Sequence, residues 1–342
     1  MGPCYDRVPR LSRRLARPCF RAETQSHGRA SKRRSLNRGT LLTLFMIQNL
    51  QPRKPFFVGI DSDGAAFDTM DVKQNLCFTP NTIRSWGLQA VADLAREVAT
   101  FVNLHSRWRG TNRFPALVMV LDLLADRPEA LARGYTPPSI QPLRDWLARE
   151  KAPSNRTLAD EVRRTGDAVF ARTLAWSQAI NADVAKTIQN ALPFANAAAC
   201  IEKLHQRADV AVVSAASTEA LHREWSRHGI DRYVRLICGQ EHGSKKDLLQ
   251  HAVGLYGAGN VLMIGDAPAD LGAASDAGAM FFPINPGREA ASWRVMSDEG
   301  IARLAAGTFG GPYQDQLVEQ FLSLLPTTPP WATSAQTHMD RH

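Results

Sequence analysis

A chain of 342 residues is too long for one small domain and has room for a core of roughly 150–200 residues plus a second unit. Its 44% hydrophobic and 22% charged residues fit a soluble globular protein. The net charge of +8 suggests a nucleic-acid partner until it is located: ten Arg and one Lys against one Asp and one Glu put +9 in residues 1–50 and leave −1 for the rest.

Residues 1–50 form a basic arm with the composition of a disordered tail. The same composition also fits a nucleic-acid or anionic-surface contact or an organelle-targeting peptide, and Met46 is an alternative first residue. The apolar run Leu41–Ile47 is seven residues long, far short of the ~20 of a membrane span. It sits behind forty Arg-rich residues with no small-residue cleavage site after it, so secretion is not expected. The five cysteines (Cys4, Cys19, Cys77, Cys200 and Cys238) form no C-x-x-C pair. That argues against a disulfide framework or zinc site and for a reducing, cytoplasmic setting.

Order is expected from Phe56. The short apolar run Phe56–Ile60 meets Asp61 abruptly, and Val210–Val213, Val234–Ile237, Val261–Ile264 and Met280–Ile284 have the same look of buried parallel strands. Helical stretches at about 217–228, closed by Gly229, and about 244–256, closed by Gly257, separate them. This alternation implies an α/β fold with a doubly wound parallel sheet. Between Thr79 and Cys200 no strand is convincing. Helices are expected over Gln89–Val102, Ala116–Leu124, Ile140–Arg149, Leu158–Ala175 and Asn181–Ala191. So long a stretch cannot be a structureless loop, and it predicts an inserted all-helical domain. The expected division is a core of residues 51–79 and 201–325, a helical insert over 80–200, and a fraying tail over 326–342. Ser292–Leu325 should pack a closing helix onto the core, and Trp86, Trp146, Trp176, Trp225 and Trp293 should be packing residues.

Four polar signals fall at the C-terminal ends of expected strands, the edge where open parallel sheets place their sites. In Asp61-Ser62-Asp63-Gly64, followed by Phe67-Asp68-Thr69, two carboxylates on a turning backbone can divide nucleophilic attack and proton transfer between them. The alternative is a solvated acidic turn. Ser214, after Val212-Val213, can hold an anionic oxygen at the start of a helix or merely cap that helix. Gly243-Ser244-Lys245-Lys246 puts cations at a helix start, unfavourable beside the dipole unless an anion binds there; otherwise they are surface lysines. Gly265-Asp266-Ala267-Pro268-Ala269-Asp270 supplies carboxylates that suit a hard cation, with a helix cap as the plainer reading of Asp266.

In this order and strand context the four resemble the haloacid dehalogenase superfamily, specifically over about 56–79 and 205–285, and the helical insert resembles that superfamily's helical cap on its Rossmann-like core. The resemblance implies Asp61 as nucleophile forming an aspartyl-phosphate. It implies Asp63 as general acid and base, with a main-chain carbonyl on magnesium. Asp266 would be a direct ligand, Asp270 would bind the metal through water or orient the lysine, and Asp61 would share the ion. Ser214 would hold the phosphoryl group and Lys245 would neutralise it, with adjacent Lys246 as a rival. Mg2+ is the expected cofactor.

Asp63 favours phosphate esters over haloacids, because an alkoxide leaves far better when protonated. Ala65 stands where members commonly carry Thr, which removes one possible hydrogen bond near the loop. In the segment His105–Arg113, Arg107, Arg109, Asn112 and Arg113 are candidates for gripping an anionic or sugar-like leaving group; a solvated basic turn is the alternative. His242 could face the site, though a surface role is the simpler expectation. The reading that follows is a magnesium-dependent phosphomonoester hydrolase acting on a small phosphorylated metabolite. A phosphomutase of the same superfamily and a nucleic-acid-binding protein working through residues 1–50 are the alternatives.

Overall fold

A computed structural model describes residues 50–189 and 191–332. The basic arm, apart from Leu50, lies outside the described residues, as do residues 333–342.

All five expected strands form: β1 (Phe56–Ile60), β2 (Ala208–Val213), β3 (Leu236–Cys238), β4 (Val261–Gly265) and β5 (Met280–Pro283). They make one parallel sheet in the order β3-β2-β1-β4-β5. Every residue of β2, β3 and β4 is buried, because helices cover both faces; this is why, apart from Asp209 near the start of β2, these strands read as apolar runs. The pleat sorts them. Val58, Ile60, Val210, Val212, Leu262 and Ile264 face one hydrophobic cluster, while Phe57, Ala211, Val213, Val261 and Met263 face the other. Gly59 is small for a reason: a Cβ there would lie 3.2 Å from Val213 Cγ2 and 3.3 Å from Met263 Sδ. The chain builds outward from β1 to β3 and then crosses to β4, so the switch in direction falls between β1 and β4.

The helices between β1 and β2 are α1 (Met70–Lys73), α2 (Thr79–Trp86), α3 (Ala92–Leu104), α4 (Arg113–Ala125), α5 (Pro128–Ala132), α6 (Gln141–Arg149), α7 (Asn155–Thr165), α8 (Ala168–Thr187) and α9 (Ala197–Arg207). Helices α2 to α8 enclose a hydrophobic cluster of their own, separate from both sheet clusters, in which Phe114 meets Trp146 edge to face at 5.5 Å. Helix α9 packs on the sheet instead, through Cys200, Ile201 and Leu204. The outgoing and returning chains meet where Phe67 bridges Pro193, and Phe194 N donates to Ala66 O at 2.9 Å.

Three expectations are corrected. The boundary between 79 and 80 falls inside an unbroken helical run from Met70 to Trp86, joined by a π-helical turn at Gln74–Phe78. The break expected between Ala175 and Asn181 lies earlier. Gly166, left-handed at φ 65°, ends α7 and the Asp167 side chain caps α8 through Val169 N, so α8 runs unbroken through Trp176. Residues 326–332 do not fray: Trp331 packs edge-on to Phe101 at 5.4 Å and lies 4.7 Å beneath the Arg127 guanidinium.

Beyond β2 the elements are α10 (Thr218–Arg227), α11 (Lys245–Tyr256), α12 (Pro268–Ala277), α13 (Glu289–Val295), α14 (Ile301–Ala305) and α15 (Pro312–Ser323). Helix α15 closes the sheet with buried Phe321 against Phe281. Among the described residues no helix is long and apolar enough to cross a membrane.

Candidate active site

The sheet brings the sequence-distant polar groups to the switch point. Asp61 follows β1 directly, and its N–H donates to Ile264 O at 2.9 Å, which sets the two acidic loops side by side. Gly64 then turns back at φ 78°, and a Cβ there would lie 2.4 Å from Asp266 Oδ2. Only glycine satisfies both constraints. Gly265 is constrained by space alone, since a Cβ would lie 2.4 Å from Asp270 Oδ2.

Lys245 heads α11 and reaches across to the acids. Its Nζ lies 2.7 Å from Asp61 Oδ2 and 2.6 Å from Asp270 Oδ1. Lys246 points outward to exposed Asp276 at 3.1 Å, so the geometry separates the two lysines that the sequence left as rivals. The other Asp61 oxygen accepts Ser62 N at 2.7 Å. Burial lifts the Asp61 carboxyl to about 6, against the pull of Lys245 and with help from Asp270 and Asp63. Lys245 moves upward: burial opposes its charge, but Asp270 and Asp61 outweigh that. Ser214 is buried at the end of β2, its N–H on Cys238 O at 3.0 Å and its hydroxyl facing Ala216 N at 3.4 Å.

Asp63 is only partly buried. Thr69 Oγ1 donates to it at 2.6 Å and the Lys73 ammonium pairs with the same oxygen. Burial alone would raise its carboxyl, but Lys73, Thr69 and Lys245 together hold it below the ordinary range. Neither Lys73 nor Thr69 was assigned a role from the sequence. Glu224 of α10 was missed as well: its Oε2 accepts Ser62 Oγ at 3.2 Å, and burial with Asp63 nearby lifts it to about 7. Trp225 Nε1 donates to the same Ser62 hydroxyl at 3.0 Å. No motif announces Glu224 and Trp225, because helix packing alone carries them to the loop. Asp63, Lys73, Arg223, Glu224, Arg227 and His228 line a cleft of about 50 Å3 that opens beside the end of α8.

Asp61, Asp266 and Asp270 can each offer an oxygen within 4.8 Å of the others, and all three are buried. Asp266 Oδ1 is fully buried and has no hydrogen-bond partner. Burial raises the Asp266 carboxyl to about 7; Arg109 opposes this, and Asp61 and Asp270 add to it. A buried, unpaired carboxylate oxygen beside two more acids is the donor set a hard divalent cation requires, so these residues fit one.

The polar groups of the basic segment are engaged by other parts of the protein. Arg109 is 3% exposed and donates from Nε to Asp266 Oδ2 at 2.8 Å and from Nη1 to Leu104 O at 3.1 Å. Arg107 Nε holds Leu325 O at 2.8 Å. Asn112 caps α4 through Phe114 N at 3.0 Å and donates to Pro153 O at 3.0 Å. Arg113 binds Asn181 at 2.7 Å and Ser177 Oγ at 3.0 Å, and lies 5.1 Å over the Phe78 ring. The segment turns tightly through Ser106 O, Trp108 O and Gly110; Arg109 is buried, while half-buried Arg107 and Arg113 and exposed Asn112 hold their protein partners nearer the surface. His242 is also buried, with Nδ1 3.2 Å from Thr218 Oγ1.

A family model described as haloacid dehalogenase-like hydrolase matches residues 86–278, more than half of the chain. The chain belongs to the haloacid dehalogenase-like hydrolases. The matched region of this hydrolase contains Ser214, Lys245, Asp266 and Asp270, and the sheet joins Asp61 to it. No curated protein matches the chain. Among solved structures the hydrolase is similar to a protein from Bacteroides fragilis, itself described as haloacid dehalogenase-like, with 14% identity and a TM-score of 0.43 over 69% of this chain and 92% of that one. It is also similar to a haloacid dehalogenase-like family protein from Streptococcus pneumoniae, with 14% identity and a TM-score of 0.38 over 73% and 97% of the two chains.

Proposed function

We propose that the chain is a magnesium-dependent phosphomonoester hydrolase that works through an aspartyl-phosphate on Asp61, with the helical insert as a cap. The observation that carries this reading is Lys245 bridging Asp61 and Asp270 at 2.7 and 2.6 Å beside the unpaired Asp266 Oδ1. Asp61, the Asp63 carbonyl and Asp266 would hold the cation, with Asp270 behind them; when bound, it neutralises charge on the phosphoryl oxygens and relieves repulsion among the acids.

In this mechanism Lys245 and Ser214 hold the phosphoryl group while an Asp61 oxygen attacks phosphorus. The Asp61–phosphorus bond forms as the phosphorus–ester oxygen bond breaks. In the Asp63–Lys73 pair the proton comes from the Lys73 ammonium, because Asp63 is ionised at the start, and Asp63 Oδ1 relays it to the departing ester oxygen. Water then attacks the phosphoenzyme and returns a proton to that pair, releasing phosphate and Asp61. Since Asp63 is held ionised in the free protein, it is already set as the base for this second half. The cleft beside Asp63 would take the leaving group, and its Arg223, Arg227 and His228 suit a small polar or anionic one.

A phosphate-release screen over phosphorylated metabolites with Mg2+ tests the proposal, with Asp61→Asn as control. Turnover by the natural chain and none by Asp61→Asn is expected. Equal turnover by the two would overturn the mechanism.

A further inference from the structure

The guanidinium of Arg109 departs from the helical insert and ends on the sheet's acidic loop. Its Nε donates to Asp266 Oδ2 at 2.8 Å and to Asp266 O at 3.1 Å, and its Nη2 lies 2.7 Å from the same Oδ2. Its Nη1 donates to Leu104 O at the end of α3, at 3.1 Å. Both contacts to the carboxylate use one oxygen, and the other, Oδ1, is buried and unpaired. A carboxylate can exchange its two oxygens by rotating about one bond, but a planar fork fixed on Oδ2 and on the main chain of the same residue blocks that rotation. The loop that carries the fork is seated tightly. Gly110 turns it at φ 76°, and a Cβ there would lie 2.5 Å from Ala267 Cβ.

We infer that Arg109 is a positioning residue that pins Asp266 through Oδ2 and so presents Oδ1 to the divalent cation. The inference rests on the metal reading proposed above and adds to it a ligand orientation supplied from the insert. The metal affinity of the core then depends on the insert being seated against it, since Leu104 and Arg109 move together. The alternative, in which the guanidinium occupies the cation's own place, predicts the opposite sign: removing it would tighten metal binding. The geometry favours positioning, because Arg109 is already engaged by Oδ2 and two main-chain oxygens and leaves Oδ1 untouched.

The test is isothermal titration of the full chain with Mg2+ alone, without substrate, for the natural protein and for Arg109→Ala, Arg109→Lys and Arg107→Ala. Loss of a group that orients a metal ligand weakens affinity about 10–100-fold, and Arg109→Ala is expected in that range. Arg109→Lys keeps the charge but not the fork, should fall between the two, and serves as the readout if the alanine variant unfolds. Arg107→Ala, which loses only its hold on Leu325 O, should bind like the natural protein. Unchanged or tighter binding by both Arg109 variants would overturn the inference while leaving the metal reading intact. Failure of the natural protein to bind Mg2+ would overturn both.

Discussion

Lys245 Nζ sits 2.7 Å from Asp61 Oδ2 although 184 positions separate the two residues, and the ion pair is nearly closed to solvent. Without the lysine, Asp61 and Asp270 would be buried carboxylates with no cation between them. Lys245→Met should therefore destabilise the protein by about 3 kcal/mol in chemical denaturation, the range for breaking one side of a buried pair. On the proposed mechanism it should also lower kcat/KM by at least about 100-fold. Lys246→Met removes only an exposed pair with Asp276 and should shift stability by under about 0.5 kcal/mol.

Two glycines of the same handedness should respond differently to alanine. Gly87, at φ 69°, has open space around the missing Cβ, so Gly87→Ala should cost only the left-handed penalty of about 1–2 kcal/mol. Gly64, at φ 78°, would drive its Cβ to 2.4 Å from Asp266 Oδ2. Gly64→Ala should exceed the Gly87→Ala cost clearly in urea denaturation, and it should weaken Mg2+ binding, which Gly87→Ala should not.

Glu224 titrates near 7 in the folded protein against an ordinary value of 4.5, because burial and Asp63 disfavour its charge. A raised carboxyl stabilises the fold fully below 4.5 and loses that contribution as pH rises through 7. Glu224→Gln stays neutral and can still accept from Ser62 Oγ. It should therefore match the natural protein near pH 4 and exceed it at pH 8 by roughly 3 kcal/mol. Parallel denaturant titrations at the two pH values check this; equal stabilities at pH 8 would remove the buried charge from the account.

Lys73 is the main reason that Asp63 lies below the usual carboxylate range. Lys73→Met removes the largest influence opposing burial and leaves only Thr69 and Lys245 against it, so the Asp63 carboxyl should rise and the acid limb of the pH–rate profile should move to higher pH. On the proposed mechanism kcat should fall about tenfold or more, with KM much less affected. An unmoved profile would detach Lys73 from proton transfer.

The helical insert has its own core, which Phe114 anchors between Trp146 and Trp176. Phe114→Ala should cost about 3–5 kcal/mol by creating a cavity. Tryptophan fluorescence should report the loss, because both neighbouring indoles belong to the insert.

Much of this architecture was legible in the chain before folding. The five strands show as short apolar runs because a parallel sheet covered on both faces favours apolar side chains; Asp209, paired with Arg235 and Tyr256, is the exception in β2. Asp61, Ser214 and Asp266 stood out because each directly follows such a run where the backbone leaves the sheet, and Lys245 because it puts a cation at a helix start. The break between α7 and α8 was misplaced because a Gly166–Asp167 stop-and-cap pair is a local signal weaker to the eye than helical periodicity.

Residue type, spacing and strand patterning are local properties, and they alone determined the α/β class, the helical insert and the acidic and basic groups at the sheet edge. The choice of Lys245 over Lys246, the ion pair of Lys73 with Asp63, the placing of Glu224 behind Ser62 and the burial of Arg109 on Asp266 were decided only by the tertiary structure. Each depends on which way a side chain points after distant elements dock. Two neighbouring lysines on a helix face directions about 100° apart, and only the packed sheet says which direction holds the acids.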